Sequence, residues 1–279
     1  MTDVKKYRPK GRGLASNSQS HKLIILILSA VVVIEGVFLA MFIAGRRPAK
    51  PAKVSVPAQI IKGKIAIVLD DWGYNQNNLE ALSRIKYPLT LAILPGLPYS
   101  GRAAEKARKL GFEAILHLPL EPHENLRLEK NTITTAMSNQ EIMRNLDAHL
   151  NSLPRIKGVS NHMGSKATED KRVMGIILKE LRKRRLYYLD SLTTSNTVCA
   201  DLAGSLGVKV AQRDIFLDNQ EESQYIKSQL NKLKAKARFY GQAIGIGHDR
   251  KAMMQVLTEV MPELKKEGYK FVFVSELVQ

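Results

Sequence analysis

Two different rhythms of apolar residues divide the chain. Residues 23–45 are apolar except for Ser29 and Glu35, without the period of an amphipathic helix. Such a run of 23 residues, at 1.5 Å rise per residue, crosses a hydrocarbon layer of about 30 Å as one helix. From residue 64 onward, short β-rich apolar runs alternate with stretches whose apolar positions recur every three or four residues. That alternation predicts a parallel sheet wrapped by helices. Strands are expected at 64–69, 89–94, 113–116, 158–160, 186–189, 208–212, 243–247 and 270–274, and helices near 75–86, 100–110, 138–153, 169–184, 196–206, 220–239 and 250–267. Ser138 followed by Glu141 is a capping-box pattern that opens one of them. The fold class expected is therefore α/β, an irregular (β/α) barrel of seven or eight parallel strands preceded by one N-terminal transmembrane helix.

The apolar run is too long for the core of a cleaved signal peptide, and it leads straight into Arg46 and Arg47 rather than a small-residue cleavage site. An uncleaved anchor is the expectation. The domain organisation then reads as a basic N-terminus at 1–22, whose cytoplasmic side is carried by the family resemblance below and not by charge, an anchor at 23–45, a linker rich in Pro, Ala and Lys at 46–63, and a barrel domain at 64–279.

Charge sharpens this division. The chain carries 43 Lys and Arg against 26 Asp and Glu, a formal +17. Residues 1–53 hold ten of those cations and only Asp3 and Glu35 as acids, so nearly half of the excess flanks the anchor. Cations there suit anionic lipid or an acidic wall polymer. Only 6% of residues are aromatic and no zinc-finger or RNP-like motif is present, so nucleic acid is not an expected partner. Cys199 stands alone, which excludes an intramolecular disulfide and a Cys-rich zinc site. Any metal must rest on histidine and carboxylate.

Most of the expected strands stop at polar residues, many of them ionisable: Asp70 and Asp71, His117, Asn161 and His162, Asp190 and Ser191, Arg213 and Asp214, and His248, with Pro95 and Gly96 after one. In a (β/α) barrel the C-terminal strand ends converge on one face, where an active site is assembled from separate loops. Of two adjacent carboxylates, one can bind a cation while the other stays free as a base. His117 and His162 with one such Asp make a set of three ligands that leaves positions open for water and substrate, suited to zinc, cobalt or iron. His248 is the natural acid, and His123 is a spare ligand. The run from Gly241 to Gly247 lacks the Lys-Ser/Thr of a phosphate loop and reads as a strand.

At these residues the chain resembles the divergent polysaccharide deacetylase family, relatives of the NodB-like carbohydrate esterases. The segments that carry the resemblance are IAIVLDDWGYN (65–75), AILPGLPYS (92–100), ILHLPLEP (115–122), GVSNHMGSKAT (158–168), YYLDSLTTS (187–195), QRDIFLDN (212–219) and AIGIGH (243–248). The resemblance implies a metal-dependent hydrolase that removes acyl groups, usually acetyl, from N-acylated amino sugars. Asp70 resembles the catalytic base, Asp71 the metal carboxylate, His117 and His162 its histidine partners, and His248 the acid. Arg213 and Asp190 resemble groups that hold and tune the base and acid. The substrate implied is an envelope polysaccharide or peptidoglycan, and the location is the bacterial inner (cytoplasmic) membrane with the domain on the periplasmic side. Better-studied relatives carry both metal histidines in one H-x-x-x-H motif, whereas His117 and His162 are 45 positions apart. That spacing leaves open an alternative from another class, a non-catalytic glycan-binding or envelope scaffold protein.

Overall fold

A computed structural model describes residues 18–45 and 61–279. Residues 1–17 of the expected N-terminus and 46–60 of the expected linker lie outside the described residues. The chain divides into two units, Met1–Ala58 and Gln59–Gln279.

In the first unit, α1 (Ser18–Gly45) covers the whole apolar run. Its segment Gln19–Gly45 has a mean hydropathy of 2.9, and its large apolar side chains between positions 23 and 43 are exposed. A helix of this length and composition can cross a membrane or serve as a signal sequence.

Among the described residues, the second unit holds nine strands: β1 (Gly63–Trp72), β2 (Thr90–Ile93), β3 (Glu113–Leu120), β4 (Gly158–Met163), β5 (Tyr187–Asp190), β6 (Val210–Gln212), β7 (Ile215–Phe216), β8 (Gln242–His248) and β9 (Tyr269–Phe271). Six helices alternate with them: α2 (Ser100–Leu110), α3 (Asn139–Ser152), α4 (Lys171–Arg184), α5 (Cys199–Leu206), α6 (Ser223–Tyr240) and α7 (Lys251–Lys266). The strands pair in parallel in the order β6-β5-β4-β3-β2-β1-β8-β7, with β9 alongside the start of β1. β6 and β7, the two ends of that order, are joined by Arg213 and Asp214, so the curved sheet comes round to a covalent seam there.

Strand side chains alternate between two faces. Ala66, Val68, Ile115, Leu189, Ile244 and Ile246 fill the barrel interior with Val272, Val274 and Leu277 of the C-terminal segment. The opposite parity, including Ile65, Ile67, Leu69, Leu116, Leu118 and Val159, packs under the helices. The same alternation carries Asp70, His117, His162 and His248 onto the interior face, one step beyond the apolar stack.

Local sequence explains the helix boundaries. Ser138 Oγ accepts from Glu141 N at 3.3 Å while Ser138 N donates to Glu141 Oε2 at 2.8 Å, the capping box expected for α3. Gly245 and Gly247 face outward, where a Cβ would run into Leu233 and Met253 of α6 and α7. Those glycines serve helix packing, and β8 is a strand, as expected.

Four expectations need correction. The strands run past their apolar residues, so Asp70, Asp71, His117, Asn161, His162 and His248 lie within β1, β3, β4 and β8 rather than in the loops after them. No α-helix forms over 75–86; Asn75 Oδ1 accepts from Asn77 N at 2.9 Å, a turn that competes with helix, and only a 3-10 turn, Ala81–Arg84, remains. The run 270–274 splits into β9 and a 3-10 turn, Val274–Glu276. Two-residue β7, too short for a periodic signal, was not expected.

Candidate metal centre and active site

Asp70 and Asp71 are consecutive, and in a regular strand their side chains would point to opposite faces. The ladder to β2 instead slips between Leu69, opposite Leu91, and Trp72, opposite Ile93, and Asp71 takes φ 66°. This is a β-bulge, a device that re-aims a side chain. It turns both carboxylates toward the interior face. Holding a residue with a Cβ in the left-handed region costs about 1–2 kcal/mol, which the surrounding sheet must offset.

His117 and His162 come from adjacent strands. The β3–β4 register sets His117 opposite Ser160 and Pro119 opposite His162, which brings the two rings to 5.1 Å between centroids. Asp71 Oδ1 lies 3.0 Å from His162 Nδ1 and 3.4 Å from His117 Nε2. One donor atom from each of Asp71, His117 and His162 falls within 4.8 Å of the others. Pairing, rather than proximity in sequence, assembles this trio. His117 is held from behind by a 2.8 Å hydrogen bond between Nδ1 and Ser160 Oγ.

The trio fits a divalent cation on its own chemistry. Asp71 Oδ1 and His162 Nε2 are buried without an aligned hydrogen-bond partner among the described residues, and Asp70 Oδ1 beside them is in the same condition. Buried polar atoms are rarely left this way, and a carboxylate with two imidazoles is a set that zinc and related metals favour. Burial opposes the charge on Asp71, but the closeness of the His117 and His162 rings outweighs burial and holds the carboxyl well below the usual range. Asp71 is therefore an anion ready to ligate.

Asp70 differs in character. It is buried, its Oδ2 is 3.5 Å from His117 Nε2, and desolvation pushes its pKa up despite attraction to His117, His248 and His162. A carboxylate so placed has raised affinity for a proton, as a base needs.

His248 stands beside Asp70 across the β1–β8 ladder. Asp218, fully buried two residues past Phe216, accepts from His248 Nδ1 at 2.8 Å and from His248 backbone N–H at 2.9 Å. Burial works against the imidazolium, but Asp218, reinforced by Asp70 and Asp71, raises the His248 pKa overall. Phe216 stacks on the His248 ring with an interplanar angle of 12°, and the Arg213 guanidinium lies 3.7 Å over Phe216. Asp218 and Ser160 were missed in the sequence. Asp218 lies within the QRDIFLDN segment, at a position whose parity matches Phe216, and that parity was the available signal.

The remaining expected residues are placed less directly. Asp190 is fully buried on the outer parity of β5; its carboxylate accepts from Leu192 N at 2.9 Å and Thr197 Oγ1 at 2.8 Å. Arg213 donates to the carbonyls of Ser191 and Leu192 at 2.7 and 2.9 Å. Together they shape the loop after β5. Among the described residues, the hydrogen-bond acceptor of the His248 ring is Asp218 and not Asp190. His123 pairs with Glu169 at 3.0 Å outside the trio. Asp249 N–H donates to Asp70 O at 3.1 Å and Asn78 Nδ2 to Asp249 Oδ1 at 2.8 Å, tying the ends of β1 and β8 together.

Comparison with known proteins follows the same outline. Residues 67–278 match the divergent polysaccharide deacetylase family. YibQ of Escherichia coli, an uncharacterized protein, is 36% identical over 213 residues, 76% of this chain and 67% of the relative. A crystal structure of an uncharacterized protein from Agrobacterium tumefaciens superposes with a TM-score of 0.71 at 23% identity, covering 77% of this chain and 89% of that one. A peptidoglycan N-acetylglucosamine deacetylase shares the fold with a TM-score of 0.51 at 12% identity, over 78% of this chain and 88% of that one. The chain belongs to the divergent polysaccharide deacetylase family.

Proposed function

We propose that this chain is a membrane-anchored, metal-dependent hydrolase that removes acetyl or related acyl groups from N-acylated amino sugars of an envelope polysaccharide, on the periplasmic side of the inner membrane. The observation that carries the reading is the convergence on one face of the Asp71–His117–His162 trio, the desolvated Asp70 carboxylate and the His248–Asp218 pair. A scaffold needs no such division between anion, base and acid. The substrate class rests on the family description and on the fold shared with a peptidoglycan N-acetylglucosamine deacetylase; the anchor rests on α1.

Asp71, His117 and His162 would hold the cation. When bound, it supplies Lewis acidity that polarises the acyl carbonyl and acidifies a water. Asp70 takes the proton from the attacking water, a role suited to its raised proton affinity. The water oxygen joins the acyl carbon, the carbon–nitrogen bond breaks, and His248 gives its Nε2 proton to the departing amine, leaving acetate and a free amino sugar. Asp218 holds the His248 ring and favours its protonated form before transfer. Arg213, through the carbonyls of Ser191 and Leu192 and the face of Phe216, fixes the wall behind that acid.

The test is acetate release from N-acetylated glycans by the full chain, comparing wild type with Asp70→Asn. The variant is expected to keep its metal and lose turnover by about 10²–10⁴-fold, the usual contribution of a positioned base. An active Asp70→Asn would remove Asp70 from the mechanism. A metal-loaded wild type that releases nothing from any N-acetylated polymer would favour the scaffold alternative.

A further inference from the structure

The end of the domain opposite the candidate site carries a second organised surface. Outside α1, six large apolar residues are exposed among the described residues, and the three most exposed are Phe239 at 80%, Tyr240 at 67% and Ile61 at 55%. They share one place. Phe239 and Tyr240 end α6 and stack edge to face at 4.7 Å between centroids. The following Gly241 accepts from Lys64 N at 2.8 Å, and Lys62 N donates to Gly268 O at 3.0 Å. Ile61 immediately precedes this pairing, so the aromatic pair sits where the chain enters the domain.

Cations surround that apolar cluster. Lys64 and Lys270 stand opposite each other in the paired starts of β1 and β9, Lys62 immediately precedes β1, Arg238 precedes the aromatic pair, and Lys266 ends α7. None of these five forms an ion pair among the described residues, and the neighbouring acid Glu267 is already engaged by Lys234 at 3.0 Å. Helix C-termini attract cations for local reasons, but that accounts for Arg238 and Lys266 only and not for Lys62, Lys64 and Lys270. Exposed aromatic rings ringed by unpaired Lys and Arg suit a membrane interface, where rings sit at headgroup level and cations meet anionic lipid.

We infer that the pole formed by Ile61, Phe239, Tyr240 and the surrounding cations rests on an anionic bilayer surface, so that the candidate site faces away from the membrane. The inference rests on the membrane-anchored reading above. Chain length allows it: 15 residues separate α1 from Ile61, a reach of at most about 50 Å in any conformation. β8 runs from this pole to His248, and its seven residues set the site about 20 Å from the lipid surface. A polymer lying outside the bilayer would then be met by the catalytic face. Each cation brought to an anionic surface favours the docked state by about fivefold.

The experiment uses the full chain with Phe239→Trp, reconstituted into phosphatidylglycerol vesicles with brominated acyl chains and, in parallel, into brominated phosphatidylcholine vesicles. The native Trp72 is fully buried, so the difference from wild type reports the introduced indole. The expected result is strong quenching in phosphatidylglycerol, weaker in phosphatidylcholine, and reduced again when Lys266→Glu and Lys270→Glu are added. Unquenched fluorescence that remains open to acrylamide would overturn the docking. Fluorescence closed to both quenchers would overturn it too, and would indicate that the linker or a second copy covers the pole. A wild-type chain that fails to float with vesicles of either lipid would overturn the anchored reading itself, a result distinct from an anchored chain whose pole stays in water.

Discussion

Replacing Asp218 by Asn tests the acid most sharply, because the change alters charge and keeps shape. Asp218 accepts two hydrogen bonds from His248, one from the ring and one from the backbone. An amide can satisfy only one of them with its oxygen; its NH₂ then faces the other donor. A hydrogen bond to a charged group is worth about 1.5–3 kcal/mol, so folding stability should fall by about that much at a pH where His248 is protonated. In a unit the size of Gln59–Gln279 that lowers Tm by roughly 3–12 °C. Asp218 raises the His248 pKa above its ordinary value. Stabilisation from a raised pKa is fully present below the unfolded value of about 6.5 and is lost as pH rises through the folded value. The gap between wild type and Asp218→Asn should therefore be wider near about pH 6 than near about pH 9, and the alkaline limb of kcat/KM should move to lower pH in the variant. Thermal unfolding across that range and a pH–rate profile read both effects. A gap that does not change with pH, with an alkaline limb that does not move, would refute the assignment of His248 as the acid held by Asp218.

Three other outcomes follow from the geometry. Ser160→Ala removes the bond that orients His117 while leaving all three ligands, and metal affinity measured by chelator competition should fall about 10–100-fold; unchanged affinity would show that Ser160 does not orient the ligand. Asp71→Asn and Asp71→Val should both lose the metal and the stability that goes with it, and Asp71→Val should be a further 1–2 kcal/mol or so less stable than Asp71→Asn in urea unfolding, because Asn tolerates the left-handed backbone and a β-branched residue does not. At the opposite end of the barrel, Glu113 accepts from Thr90 Oγ1 at 3.0 Å and Tyr187 Oη at 2.7 Å. Glu113→Ala strands both buried hydroxyls and should destabilise by about 2–4 kcal/mol in the same assay, with metal content unchanged.

Much of this could be read from the sequence, for identifiable reasons. Apolar runs such as 64–69 and 243–247 report burial on both faces of a parallel strand, and the amphipathic period reports the helices that cover them. Where polar residues continue a ladder the signal stops early, which is why β1, β3, β4 and β8 extend through Asp70, His117, His162 and His248. The bulge at Asp71 left no trace, because nothing in composition demands a positive φ at an aspartate. Parity explains Asp190 and Asp218: Asp190, one residue past the inward Leu189, falls on the outer face of β5, while Asp218 repeats the inward position of Phe216 just beyond a strand too short to be detected. The pairing of His117 with His162 depends on register between β3 and β4, a tertiary quantity that no local pattern encodes.

The central claim is that Asp71, His117 and His162 hold a divalent metal, and elemental analysis of the full chain purified without chelator tests it most directly. Wild type and Asp70→Asn should each carry about one zinc, cobalt or iron per chain, and Asp71→Ala, His117→Ala and His162→Ala should each lose it. A folded wild type that is metal-free and takes up no added metal, or ligand variants that keep the full complement, would contradict the account.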